Sequence, residues 1–121
     1  MEKMFQKVFD LIQKNIPDNW DKLAFFAIYF DGGYTMKYYV KIDGKYLDCY
    51  NVVKEEKVEK TFSDIDKVIE PVRNKLSDKE KWKVFTMNVT GDGNMKSEFE
   101  YDDVSGNEID YIRNWKKKYL K

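Results

Sequence analysis

The chain has 121 residues, the size of one domain, and its 22 basic and 22 acidic side chains cancel to a formal net charge of zero. Charged residues make up 36% of it, which excludes a lipid-embedded or apolar fibrous protein, while 3 Trp, 9 Tyr and 8 Phe exclude a disordered chain and supply material for a core. Zero net charge also removes any whole-molecule attraction to nucleic acid or anionic lipid, so recognition through charge must be local.

At the N-terminus Met1 to Phe5 contains no apolar stretch of the signal-peptide kind. Phe5, Val8, Phe9 and Ile12 then follow the i, i+3, i+4, i+7 rule, predicting an amphipathic helix from Glu2 to about Gln13 that Pro17 keeps from extending far. Leu23 to Phe30 is the longest apolar run, far short of the roughly 20 residues of a membrane span. It reads as a strand ending at Asp31-Gly32-Gly33, where a hairpin returns through Tyr34 to Ile42 with period-2 alternation. Asp43-Gly44 reverses the chain again into a third strand around Lys45 to Tyr50.

Lys54 to Lys60 is charge-dense and reads as a solvated connection, with Ser63 and Asp66 as an approximate capping box opening a second helix. Ile65, Val68, Ile69, Val72 and Leu76 are its buried stripe, and Pro71 predicts a kink or a displaced start. Lys81 to Thr90 alternates again, Gly91 to Asn94 turns, and Met95 to Tyr101 returns as a fifth strand. Ser105 and Glu108 precede Ile109, Ile112, Trp115 and Tyr119, the stripe of a third helix with a basic last turn. The expectation is one α+β domain over residues 1–121. Its element order is α-β-β-β-α-β-β-α, with an antiparallel sheet of about five strands and three helices on one face.

Chemistry is scarce. The chain has no histidine, which removes the commonest general base, the imidazole metal ligand and every Ser-His or Cys-His nucleophile arrangement. Cys49 is alone, so an internal disulfide and a thiolate zinc site are both excluded, in keeping with a reducing, cytoplasmic setting. In its strand pattern it reads as a small packing residue. No phosphate-cradling glycine motif occurs, and Asp92-x-Asn94-x-Lys96 lacks the ligands of a calcium loop. No cofactor or metal is therefore expected.

Charge placement is the feature above background. From Asp92 to Asp110 there are seven acidic residues against Lys96 alone, and from Tyr111 to Lys121 five basic residues and no acid. Strand parity puts Glu98, Glu100 and Asp102 on one side, and Ser97, Phe99 and Tyr101 on the other. Either the last helix folds back to neutralise this strand, or one pole meets a partner, an acidic face imitating a phosphate backbone in a nuclease groove. Two other readings compete. Arg113, Lys116, Lys117 and Lys118 with Trp115 and Tyr119 suggest a small nucleic-acid-binding module, and Glu98, Glu100 and Asp102 a carboxylate hydrolase.

An ordered set of segments resembles a known family. The N-terminal helix running into Ile16-Pro17-Asp18-Asn19-Trp20, the aromatic strand with its Gly32-Gly33 turn, and Trp82 ahead of a strand form its first part. The Gly93 turn, Met95-Lys96-Ser97-Glu98-Phe99-Glu100-Tyr101-Asp102-Asp103-Val104 and Arg113-Asn114-Trp115-Lys116-Lys117-Lys118-Tyr119-Leu120 complete it. Together they are similar to the YezG/EsaG family of immunity proteins over nearly the whole chain. Lys54 to Phe62 matches only loosely, and Lys121 stands where glycine is frequent. The resemblance implies a cytoplasmic, non-catalytic antitoxin that binds the C-terminal nuclease domain of a secreted LXG-type toxin. It implies no membrane and no direct nucleic-acid partner, and leaves a homodimer open. Trp82, Glu98, Glu100, Tyr101, Asp102 and Asp103 are the expected toxin-binding residues.

Overall fold

The computed structural model describes residues 2–121. Its elements are α1 (Glu2–Gln13), β1 (Lys22–Phe30), β2 (Gly33–Ile42), β3 (Lys45–Asp48), α2 (Cys49–Val52), α3 (Glu55–Arg73), β4 (Val84–Thr90), β5 (Met95–Glu100) and α4 (Glu108–Tyr119). The class is α+β, with one antiparallel five-stranded sheet in the order β3-β2-β1-β4-β5. The hairpin between β2 and β3 turns on Asp43 and Gly44, both at positive φ (51° and 81°), as a two-residue turn matching the strand twist demands.

β1 is the centre. Leu23 to Tyr29 are all buried, because both faces of this strand are covered. Phe25, Ala27 and Tyr29 join Tyr38, Phe85 and Met87 beneath α1 and α3. Phe5 of α1 stacks on Phe85 at 5.4 Å, and Phe62 of α3 meets Tyr38 at 6.0 Å. Ala24, Phe26 and Ile28 point the other way, toward Tyr39, Val84 and Trp115 of α4. The expectation of helices on one face is thus corrected: α4 covers the opposite side, which is why β1 shows no wet parity.

Among the described residues there are four helices where three were expected. Asp48 ends β3 by accepting the Tyr50 amide at 3.0 Å, and this N-cap opens α2 and takes Cys49 out of the strand. Cys49 is fully buried, and burial pushes its thiol up to about 11, the state of an inert packing residue. α3 begins at Glu55, eight residues before Ser63, since the charged segment carries Val58, Thr61 and Phe62 on the same buried stripe as Ile65 and Ile69. Its early acids also suit the helix dipole. Pro71 is accommodated three residues from the start of the C-terminal flank, and the helix closes when Asn74 donates to the Glu70 carbonyl at 2.9 Å. Neither expected capping box forms. Ser63 is mid-helix, and α4 starts after Asn107 without a side-chain cap.

Candidate functional site

β5 is an edge strand, and its residues alternate between half-buried and exposed along its whole length. Glu98 and Glu100 project on the exposed parity toward α4, whereas Phe99 packs on Phe85 at 5.3 Å and on Trp82 at 5.1 Å. The two glutamates are held from the helix. Tyr119 donates its hydroxyl to Glu98, Tyr111 donates to Glu100, and Lys118 lies 3.8 Å from Glu98. Burial, with these carboxylates adding to it, pushes both phenols well above their ordinary range. They therefore remain donors throughout neutral pH.

Past β5 the chain makes a turn-rich connection over residues 101–107 before α4. Tyr101, its first residue, is 55% exposed, and Ile109, second in α4, is 78% exposed. Asp102 and Asp103 are exposed between them. Asp103 accepts the Ser105 amide at 2.9 Å, which draws its carboxyl below the usual range. Asp110 pairs with Arg113 at 3.2 Å, and among the described residues Asp102, Asp103 and Glu108 form no salt bridge. Two apolar side chains thus stand in water among acids that carry uncompensated charge, a composition suited to a basic protein surface.

Five of the six expected contact residues lie on this flank. Trp82 does not: its side chain is fully buried against Tyr29 (5.5 Å), Phe85 (5.8 Å) and Phe99 (5.1 Å). Arg73 caps this cluster, with its guanidinium 4.8 Å from the Tyr29 ring and 5.4 Å from Trp82. Arg73 Nε also donates to the Trp82 carbonyl at 2.8 Å. Trp82 positions β4 and β5 from inside and meets no solvent in the free chain. Of the expected stripe Ile109, Ile112, Trp115 and Tyr119, the last three face the sheet, Tyr111 joins them, and Ile109 is left outside. Periodicity could not separate these positions, because a 3.6-residue repeat starting at Tyr111 and running through Trp115 and Tyr119 fits equally well.

The basic pole is partly spent at home. Lys118 faces Glu98, Arg113 faces Asp110, and Lys116 lies 5.4 Å over the Tyr39 ring. Trp115 is 3% exposed and seated on Phe26 at 4.9 Å, so it cannot stack on a nucleobase. No helix among the described residues is long and apolar enough to cross a membrane.

A family model described as immunity protein YezG-like matches residues 1–121. The chain belongs to the YezG-like immunity protein family, and its role is one of immunity, exerted on a toxin that is itself a protein. A search of curated proteins finds no match.

Proposed function

We propose that this immunity protein neutralises the nuclease domain of a secreted LXG-type toxin from within the cytoplasm, by docking rather than by catalysis. The docking surface is the corner after β5: Tyr101 and Ile109 as apolar anchors, Asp102, Asp103 and Glu108 as the acidic rim, with Glu98 and Glu100 continuing the charge along the strand. The observation that carries this reading is the coincidence of the two large apolar side chains exposed there, 55% and 78%, with unpaired carboxylates. A nuclease must present cationic side chains to hold a phosphate backbone, and a rim of carboxylates complements that groove. Anchors such as Tyr concentrate binding energy when water is excluded around them.

The test mixes the purified chain with the nuclease domain encoded beside its gene and follows plasmid or RNA degradation. Stoichiometric protection is expected, with co-elution of the two proteins. Unchanged cleavage at molar excess overturns the proposal.

A further inference from the structure

The free edge of β5 is self-complementary, and we infer that two copies of this chain join through it into a two-fold dimer with a continuous ten-stranded sheet. At the hairpin end the Thr90 amide donates to the Asn94 carbonyl at 2.9 Å, and the β4–β5 register pairs Asn88 with Lys96, Thr86 with Glu98 and Val84 with Glu100. By the alternation of an antiparallel ladder, the even-numbered residues of β5 turn their backbone groups to β4. Met95, Ser97 and Phe99 turn theirs outward to the edge, which no other strand occupies.

A second β5 can add antiparallel about a two-fold axis in several registers, and the side chains choose among them. Centred on Lys96 or on Glu98, the axis sets that residue against its own copy, a like-charge pair directly opposite. Centred on Ser97, it sets Lys96 opposite Glu98 twice on the α4 face and Met95 opposite Phe99 twice on the α1 face. Lys96 and Glu98 then meet opposite charges, Glu100 meets the neutral Asn94, and Met95 and Phe99 meet each other. Lys96 makes no salt bridge among the described residues, which leaves it for this pairing. The α1 side of the edge is open as well, a groove of about 560 Å³ lined by Phe5, Met95, Ser97 and Phe99. Ser97 Oγ is buried with no hydrogen-bond partner among the described residues, and this register places the Ser97 of the second copy across from it, where paired hydroxyls bond between strands. About six backbone hydrogen bonds close the join. A two-fold axis makes the patch its own complement, as a closed dimer requires.

This inference does not rest on the toxin-binding reading, because its readout is mass in the absence of any toxin. Sedimentation equilibrium and light scattering on the full chain, from micromolar to about 1 mM, are expected to show a concentration-dependent dimer. Ser97→Pro removes an outward N–H that β4 does not use, so it is expected to abolish the dimer while circular dichroism and melting stay near those of the parent chain. Lys96→Glu and Glu98→Lys each create two repulsive pairs and are expected to weaken dimerisation about tenfold or more, and the double variant to restore it. A monomer throughout the range overturns the inference. So does a dimer indifferent to Ser97→Pro, or a double reversal no better than the singles.

Discussion

Trp115 Nε1 donates to Thr86 Oγ1 at 3.0 Å, a buried hydrogen bond between residues 29 apart that fixes α4 to the middle of the sheet. The indole also meets Phe26 edge-on at 4.9 Å and Tyr39 at 5.9 Å, so one side chain sets both the position and the rotation of the helix. Tyr111 and Tyr119 can then reach Glu100 and Glu98, and the acidic corner is presented from a rigid base.

Thr86→Val keeps the shape of the side chain and leaves the buried indole N–H without an acceptor, which costs about 1–3 kcal/mol. Thr86→Ser should retain most of the stability. Trp115→Ala empties the whole second core and should cost about 3–5 kcal/mol. Urea melts give these values, and loss of near-ultraviolet ellipticity reports the release of α4. A Thr86→Val variant as stable as the parent would show that the bond does not hold the helix.

Arg73 makes a different kind of joint, its guanidinium lying over the rings of both Tyr29 and Trp82 while Nε donates to the Trp82 carbonyl. Lysine keeps the charge but loses the planar stack and the directed N–H, so Arg73→Lys is expected to cost about 1 kcal/mol. Arg73→Ala, which also removes the positive charge above the two rings, should cost about 2 kcal/mol. Denaturant midpoints measure both, with Trp82 fluorescence as a local probe. An Arg73→Lys variant as stable as the parent would leave these guanidinium contacts without energetic weight.

Asp48 ties β2, β3 and α2 together, since it pairs with Lys37 at 2.7 Å and caps α2 through the Tyr50 amide. Burial pushes its carboxyl up, but the bonds from Lys37 and Tyr50 outweigh that and leave it below the ordinary 3.8. A carboxyl whose folded pKa lies below its unfolded one binds its proton more readily in the unfolded chain. Its contribution is therefore complete above pH 3.8 and drains away as pH falls through the folded value. Asp48→Asn is expected to flatten this acid limb while sparing much of the cap, whereas Asp48→Ala should cost about 1–2 kcal/mol at neutral pH. Stability measured from pH 7 down to about pH 2 decides it: an acid limb unchanged in Asp48→Asn would assign the loss to other carboxylates.

The sheet was legible because its strands carry the pattern that pairing needs: Tyr34 to Ile42 alternates, Asp43-Gly44 supplies positive φ, and Met95 to Glu100 divides cleanly into two faces. What was not legible depends on tertiary contact. Val58, Thr61 and Phe62 lie among seven charged residues between Lys54 and Asp64, and only the groove beneath α3 makes them a buried stripe. Asp48 reads equally as a strand residue or a cap until its side chain is seen on Tyr50. The acidic charge of the candidate site was visible in composition, but its apolar anchor was not. Ile109 is one helical position away from the stripe that buries Trp115, and nothing local says which side of α4 meets the sheet.

That anchor gives the sharpest test of the docking surface. Ile109 is 78% exposed, so Ile109→Ala should leave stability within about 0.5 kcal/mol. If it fills a pocket on the nuclease, the same change should weaken inhibition about tenfold, and Tyr101→Ala somewhat more. Asp102→Lys reverses an exposed charge in the rim, and should slow association and reduce its dependence on salt, with little change in dissociation. Phe99→Ala is the contrast: it sits three residues before Asp102 but faces Phe85 and Trp82, so it should lower the unfolding free energy by about 2 kcal/mol or more. Inhibition measured by nuclease titration beside melting of each variant separates the two behaviours. Should Ile109→Ala and Tyr101→Ala inhibit as well as the parent, the nuclease is bound elsewhere, because no rim of exposed carboxylates holds a protein partner tightly without an apolar centre to exclude water.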